Sequence, residues 1–171
     1  FSRSRGLGDV YKRQTMILLV TSLLISGAAS VVLLESWGSV AEASGNNSKG
    51  KVADAETDVS FSGDRSDVQL DTSGTNQEIT LYFQNTGIRS LDKDDFNIFV
   101  DGTSASIVGA ITLYPSNGVW APDYIVEVTV SDSSFAYSDG DTATVLIIAK
   151  STVSDGVQGT DSESAEVRFS V

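Results

Sequence analysis

The side chains best suited to chemistry in this sequence are aspartates, which cluster at Asp92, Asp94 and Asp95 and again at Asp139 and Asp141. Ca²⁺ suits such oxygen-rich loops, because it takes about six to eight oxygen ligands in flexible geometry. Neither cluster, however, has the ligand spacing and the closing bidentate glutamate of an EF-hand. We therefore predict that these aspartates form turns and carry solvated charge, with no metal site, while calcium binding stays open as an alternative.

The composition excludes several kinds of catalytic and metal-binding site. Because the chain has no cysteine, it has no disulfide, no thiolate nucleophile and no cysteine-based zinc site. Because it has no histidine, it lacks the commonest general base and the commonest transition-metal ligand. A glycosidase would need two carboxylates held on rigid elements across a cleft, and no such pair stands out. We predict no catalytic residue, no cofactor and no enzymatic activity.

The charge balance bears on the partners of the protein. The formal net charge is -12, and residues 1–14 hold four basic side chains and one acidic side chain. The remainder therefore carries 22 acidic and seven basic residues. A surface of this sign repels the phosphates of nucleic acids. We predict that the chain binds proteins and a membrane, and that it does not bind nucleic acid.

The element around which the chain is organised is an uncharged run of twenty residues, 15–34 (TMILLVTSLLISGAASVVLL). As a helix that rises about 1.5 Å per residue, it would span about 30 Å, which is the thickness of the hydrocarbon core of a bilayer. A cleavable signal peptide has a shorter apolar core of about 7–15 residues. We predict a retained N-terminal transmembrane helix over residues 15–38 and a single-pass protein in the cell membrane.

Four side chains of this segment are candidates for packing and anchoring. Ser22, Ser26 and Ser30 recur every four residues on one face, and small residues at this spacing allow two membrane helices to approach closely. They are helix-packing candidates for a homo-oligomer, although small residues are also common in membrane helices that do not pair. Trp37 follows at the expected headgroup level, where an indole buries its ring and keeps its N–H in water. We predict that Trp37 is the membrane-interface anchor.

The segments before and after this helix are interpreted differently. Residues 4–14 (SRGLGDVYKRQ) resemble a translated sequencing-library adapter, so residues 1–14 are interpreted as a sequencing artefact rather than as a basic cytoplasmic flank. Residues 39–55 are small, polar and glycine-containing, which predicts a polar linker that could begin as a helix through Ala43. Asn46 opens an Asn-Asn-Ser sequon and is a candidate glycosylation site.

Residues 56–171 show the alternation of apolar and polar side chains that is typical of half-buried strands. We predict strands in seven segments: 57–61, 78–85, 95–101, 105–113, 123–131, 142–150 and 164–171. Residues 145–148 (VLII) are apolar on both faces, which indicates a central strand covered on both sides or contacting a partner. Pairs such as Asp101-Gly102 mark tight turns between the strands. The fold class is therefore mainly β, an immunoglobulin-like β-sandwich of about seven strands preceded by one transmembrane α-helix.

Several segments in this order resemble the archaeal flagellar (archaellum) accessory proteins G and F. The matching pieces are 81–87 (LYFQNTG) running to Leu91, 99–102 (FVDG), 118–122 (GVWAP) ahead of 126–128 (VEV), 140–141 (GD) and 165–169 (AEVRF). An N-terminal helix followed by this β domain covers most of the chain. The WAP segment, and the strand on which the sequence closes, resemble protein G more than protein F.

This resemblance implies a membrane-anchored stator, a static part of the motility machinery around the rotating filament. It implies an extracytoplasmic β domain, beneath or at the S-layer, that binds S-layer protein or other archaellum subunits. Two alternatives remain open at this stage. The chain could be a filament subunit similar to archaellins and type IV pilins, with residues 15–34 in the filament core, or a surface β-sandwich that binds sugars or calcium.

Overall fold

A computed structural model describes residues 4–171, with the surroundings of the side chains from Tyr11 onward. Residues 1–3 of the segment interpreted as an artefact therefore lie outside the described residues. One helix, α1 (Ser4–Glu56), precedes eight strands. The strands are β1 (Val59–Phe61), β2 (Val68–Asp71), β3 (Glu78–Asn85), β4 (Leu91–Val100), β5 (Thr103–Tyr114), β6 (Ile125–Ser131), β7 (Thr142–Ser151) and β8 (Thr160–Ser170). The predicted fold class, mainly β after one long apolar helix, is confirmed.

Residues 39–55, which the sequence predicts as a polar linker, belong to α1. Gly45 and Gly50 each disfavour a helix by about 1 kcal/mol relative to alanine. The alanine, glutamate and lysine residues around them favour it, and the helix ends in contact with β-domain residues, so tertiary packing outweighs the local preference. By internal packing the chain divides into two units, residues 1–47 and 48–171, so the last turns of α1 belong with the strands.

The strands form two faces of a sandwich that share edges. One face has the order β1-β3-β6-β5, in which β3 and β6 are antiparallel over seven residue pairs. The other has the order β2-β8-β7-β4, in which β2 runs parallel to β8 and the remaining pairs are antiparallel. Strand β5 pairs first with β4 and then with β6, so it passes from one face to the other. This arrangement resembles the two-sheet immunoglobulin type.

All seven predicted strands are present, and β2 is the strand that the sequence does not predict. Its four residues contain only Val68 and Leu70 as apolar members, between loops rich in aspartate and serine. A run of four residues is too short to show a convincing alternation of apolar and polar side chains. Tertiary pairing holds it instead, because Leu70 lies opposite Ile79 of β3 and Val68 lies opposite Phe169 of β8.

The core lies between the two faces and is filled by the alternating apolar side chains of every strand. Trp120 is fully buried, its Nε1 donates to the carbonyl of Tyr124 at 3.0 Å, and its ring meets Phe96 edge to face. Strand β7 is central, between β4 and β8. Val145 and Ile147 of β7 are buried, whereas Leu146 and Ile148 on its outer face are half-buried. Strand β7 is therefore covered fully on one side only.

The turn between β4 and β5 follows the chemistry of its sequence. Val100 and Thr103 face each other, so Asp101 and Gly102 form a two-residue hairpin loop. Both have positive φ, 49° and 78°, as a type I′ turn requires. The Asp101 carboxylate adds a second function, because it accepts hydrogen bonds from Thr144 N at 2.7 Å and from the Tyr137 hydroxyl at 2.9 Å.

The partly buried position of Tyr137 predicts an alkaline limit to stability. Burial, with the hydrogen bond to the Asp101 carboxylate, raises the pKa of Tyr137 to about 12. The folded state therefore holds this proton more tightly than the unfolded state, so the contribution is complete below about pH 10 and is lost as the pH rises to about 12. Ultraviolet titration of tyrosinate should show a late transition that Tyr137→Phe removes. A late transition unchanged in Tyr137→Phe would contradict the assignment.

Candidate functional site

The most prominent surface of the molecule is the apolar part of α1. Twelve large apolar side chains lie between Met16 and Leu34, and each is more than half exposed. They occur on all sides of the helix rather than on one stripe. Among the described residues, α1 is the one helix long and apolar enough to cross a membrane.

This exposure cannot persist in water. Burial of a large apolar side chain is worth about 1.5–3 kcal/mol, so twelve of them represent roughly 20 kcal/mol or more. That exceeds the whole stability of a typical domain, about 5–15 kcal/mol. Residues 15–34 therefore require an apolar environment, which lipid chains or neighbouring helices can supply.

The three serines predicted to form a packing stripe all lie on this exposed segment. The Ser22 hydroxyl donates to the carbonyl of Leu19 and the Ser30 hydroxyl to the carbonyl of Ser26, each at 2.9 Å. These local bonds satisfy the hydroxyls without a partner helix, as lipid exposure requires. The packing role of Ser22, Ser26 and Ser30 stays a prediction.

Two further predicted positions lie in α1 beyond the apolar run. Trp37 is 71% exposed, three residues after Leu34, and so is free to lie at a headgroup layer. Asn46 is exposed and helical, so its amide is accessible for glycosylation. Both roles stay predictions.

The end of α1 is fixed to the β domain by close backbone contacts. Ala53 is buried, and its carbonyl accepts a hydrogen bond from the Thr57 hydroxyl at 2.7 Å. Asp54 Oδ1 accepts one from the backbone N–H of Thr160, the first residue of β8, at 2.9 Å. Gly159 lies so close to Ala53 that a Cβ there would overlap its backbone carbonyl. The absence of a side chain at residue 159 is therefore what lets the helix end meet β8.

A second set of contacts holds the residue at which the helix ends. The carbonyl of Glu56 accepts hydrogen bonds from the N–H groups of Ile88 and Arg89 at 3.0 and 3.2 Å. Its carboxylate pairs with Arg89 Nε at 3.2 Å. Gly87 has no positive φ. Its role is close approach, because a Cβ there would lie 2.6 Å from Glu56 O and Asp58 N. We name residues 53–57 with Gly87, Arg89, Gly159 and Thr160 the helix junction.

Asn85 supports this junction from inside the sandwich. It is fully buried, and its Nδ2 donates to the carbonyls of Arg89 and Trp120 at 2.8 and 3.0 Å. Its Oδ1 accepts from Gly87 N at 3.1 Å. The Asn-Thr-Gly motif is therefore a structural connector between the helix junction and the loop that carries Trp120.

The acidic clusters are held by protein donors. Asp92 accepts from the N–H of Asp94, which pairs with Lys93, and Asp95 pairs with Lys150 at 2.8 Å. In the second cluster, Asp141 accepts from Ser138 N at 2.7 Å and Asp139 from Val171 N at 3.3 Å. No group of three or more acidic side chains able to hold a metal ion occurs among the described residues.

The helix junction is the part of the site that sequence reasoning missed. Its contacts join residues about 100 positions apart, such as Asp54 with Thr160 and Ala53 with Gly159. No periodic pattern reports such pairs. The available signal was Gly159, a glycine outside any Asp-Gly or Asn-Gly pair, close to the start of a predicted strand.

Residues 12–162 match the family described as archaeal-type flagellin, which covers both the apolar helix and most of the β domain. A comparison with curated proteins finds no match.

Proposed function

The chain belongs to the archaeal-type flagellin family and is a structural component of the archaellum, and on that premise we propose that it is a membrane-anchored stator. In this role α1 holds the protein in the membrane by residues 15–34. The β domain lies outside the cytoplasm and binds S-layer protein or other archaellum subunits. The function is mechanical, because the anchored protein resists the torque that turns the filament.

The observation that carries this proposal is the sharp end of the apolar surface within α1. The dense run of exposed apolar side chains ends at Leu34. Beyond it, exposed large apolar side chains are scattered (Trp37, Val40 and Val52), and residues 35–56 carry six charged side chains on the same helix. A helix of twenty uncharged and mostly apolar residues matches the hydrocarbon thickness of a bilayer. A helix packed along its whole length among neighbours in a filament core would bury those six charges, at a cost of several kcal/mol for each one left unpaired.

The helix junction supports a role that bears load. A stator must pass force from its anchor to its outer domain, and a flexible linker would stretch first. Here the chain enters the β domain as a helix whose last turn is bonded to β8 and to Arg89. The predicted binding of the S-layer rests on the resemblance to the accessory proteins described above.

A second candidate is the filament subunit, and the family match favours it, since the matched family is described as flagellin. Apolar side chains on all sides of residues 15–34 also suit a helix surrounded by like helices. In this reading the charged residues 35–56 would lie at the rim of the core or pair between subunits.

Mechanical shearing separates the two candidates. Filaments sheared from cells that express the chain would be purified and compared with the membrane fraction by quantitative mass spectrometry. A stator should stay with the membranes and co-purify with S-layer protein after mild cross-linking. Enrichment in sheared filaments, at a level comparable with the major subunit, would overturn the stator proposal and establish the filament subunit.

A further inference from the structure

Strand β5 differs from every other strand in its exposure. Residues 106–110 are exposed on both faces of the strand, including Ile107 at 40% and Val108 at 36%. The strand crosses there from one face of the sandwich to the other, so neither face covers it. Its apolar side chains at these positions are more exposed than Leu146 and Ile148 on the outer face of β7.

The stretch of sequence that contains β5 has no charged residue. Residues 102–122 form an uncharged run of 21 residues, although residues 56–171 hold 19 acidic and five basic side chains, a net charge of -14. The next longest uncharged run in the β domain, residues 79–88, has ten. The β5 surface is thus a neutral strip on an acidic domain.

One edge of β5 is also unpaired. Residues 103–105 pair with β4. From Ser106 onward the strand pairs with β6 alone, over residues 106–108 and 112–114, with a bulge between them. Across residues 4–171, no backbone hydrogen bond joins residues 106–113 to any strand except β6. The N–H and C=O groups on that side are therefore open to a further strand.

The neighbouring edge of β4 is protected in the usual way. Its residues 92–95 are Asp-Lys-Asp-Asp, and charged side chains on an edge discourage pairing with another chain. Strand β5 has the opposite composition, since residues 106–113 on its free edge carry no charge. A free edge without charge is a template for strand addition.

We propose that β5 pairs antiparallel with β5 of a second copy of this chain. The pairing would extend the face β1-β3-β6-β5 across two molecules. It rests on the proposed role of the β domain as the part that binds a protein partner. A basic partner would be drawn to the acidic surface, whereas a second acidic copy can approach closely only where no like charges meet. An antiparallel strand pair about a two-fold axis is self-complementary, so one neutral strip serves both molecules.

The absence of cysteine makes a direct test available. Single cysteines would be introduced at each residue from 106 to 113 in the full chain in detergent, and disulfide-linked dimers would be measured after mild oxidation. Opposed residues of an antiparallel pair lie about 4.5–5.5 Å apart, within the disulfide limit of about 7 Å. One residue from the two-fold axis, the separation exceeds about 8 Å. We therefore expect one sharp maximum, at one or two neighbouring positions.

Val153→Cys is the matched control, because Val153 is 68% exposed on a loop outside β5. The maximum in β5 should exceed its yield by about tenfold. A flat profile along β5, or a yield no greater than that of Val153→Cys, would overturn the proposal. If the chains dimerised through α1 alone, the disulfide yields of the β5 cysteines and of Val153→Cys would rise together, and this result would also overturn the proposal.

A charge placed on the strip tests the same contact in the opposite direction. Val108→Glu places two like charges within the neutral strip that the two molecules would share, and it should lower cross-linking at the best position by about tenfold. Val153→Glu should leave it unchanged. An unchanged yield in Val108→Glu, with an unaltered circular dichroism spectrum, would overturn the proposal. The cross-linking readout is independent of the shearing assay, so failure of one leaves the other interpretable.

Discussion

Leu23→Arg combined with Leu24→Arg should prevent the chain from integrating into membranes. The two side chains lie at the centre of residues 15–34 and are 71% and 67% exposed. An arginine at the centre of a membrane helix costs about 2.5–3.5 kcal/mol on insertion scales, and each leucine lost costs a little more. Together the changes cost about 6 kcal/mol, equivalent to roughly a 10⁴-fold shift in partition. The measurement is the fraction of chain that resists alkaline extraction and floats with vesicles.

Ser26→Leu is the matched control for this experiment, because it changes the same segment and keeps it apolar. It should integrate as well as the unaltered chain. The same variant also tests the packing stripe, since a leucine at residue 26 should weaken self-association in detergent if Ser22, Ser26 and Ser30 form a seam. If the double arginine variant still floated with vesicles, residues 15–34 would not be the anchor.

Gly159→Ala should destabilise the β domain by about 3 kcal/mol, an unusually large effect for one added methyl group. The new Cβ would overlap the carbonyl of Ala53 and the hydroxyl of Thr57. Because the overlapped atoms include backbone, the helix end must shift from β8. The shift would break the bond from Thr160 N to Asp54 Oδ1. Thermal unfolding of the full chain in detergent, followed by the β signal in circular dichroism, measures the loss.

Gly50→Ala supplies the control, since it is the same chemical change in the same part of the chain. Gly50 lies in α1, and a Cβ there would meet nothing within 4 Å. Alanine is better than glycine in a helix by about 1 kcal/mol, so this variant should be as stable as the unaltered chain or slightly more stable. If Gly159→Ala and Gly50→Ala changed the unfolding temperature equally, the close approach at Gly159 would not contribute to the stability of the β domain.

The strands could be predicted because their determinants are local. In β3 the apolar residues Ile79, Leu81 and Phe83 alternate with polar ones, and all three are buried. The turn at Asp101-Gly102 was predictable for a similar reason, since few residue pairs tolerate two positive φ values. Strand β2 escaped prediction because its four residues are too few to show alternation, and because it is held by pairing with β3 and with β8, which lies about 100 residues later in the chain.

The roles of the two junction glycines could not be predicted. Gly87 follows an asparagine and resembles a turn glycine, yet its φ is not positive, and its place depends on the arrival of residues 56–58. Gly159 depends on Ala53, more than 100 residues earlier. Steric limits of this kind exist only after the chain has folded.

Two properties of this protein follow from the amino-acid sequence alone. Residues 15–34 need an apolar environment, because twenty uncharged and mostly apolar residues cannot be hidden by a domain of this size. The remainder is an acidic β domain, because alternation and turn residues act over a few positions. Folding decided the rest. It left one edge of β5 unpaired, and it joined the end of α1 to β8, because both outcomes depend on which distant backbone groups find partners.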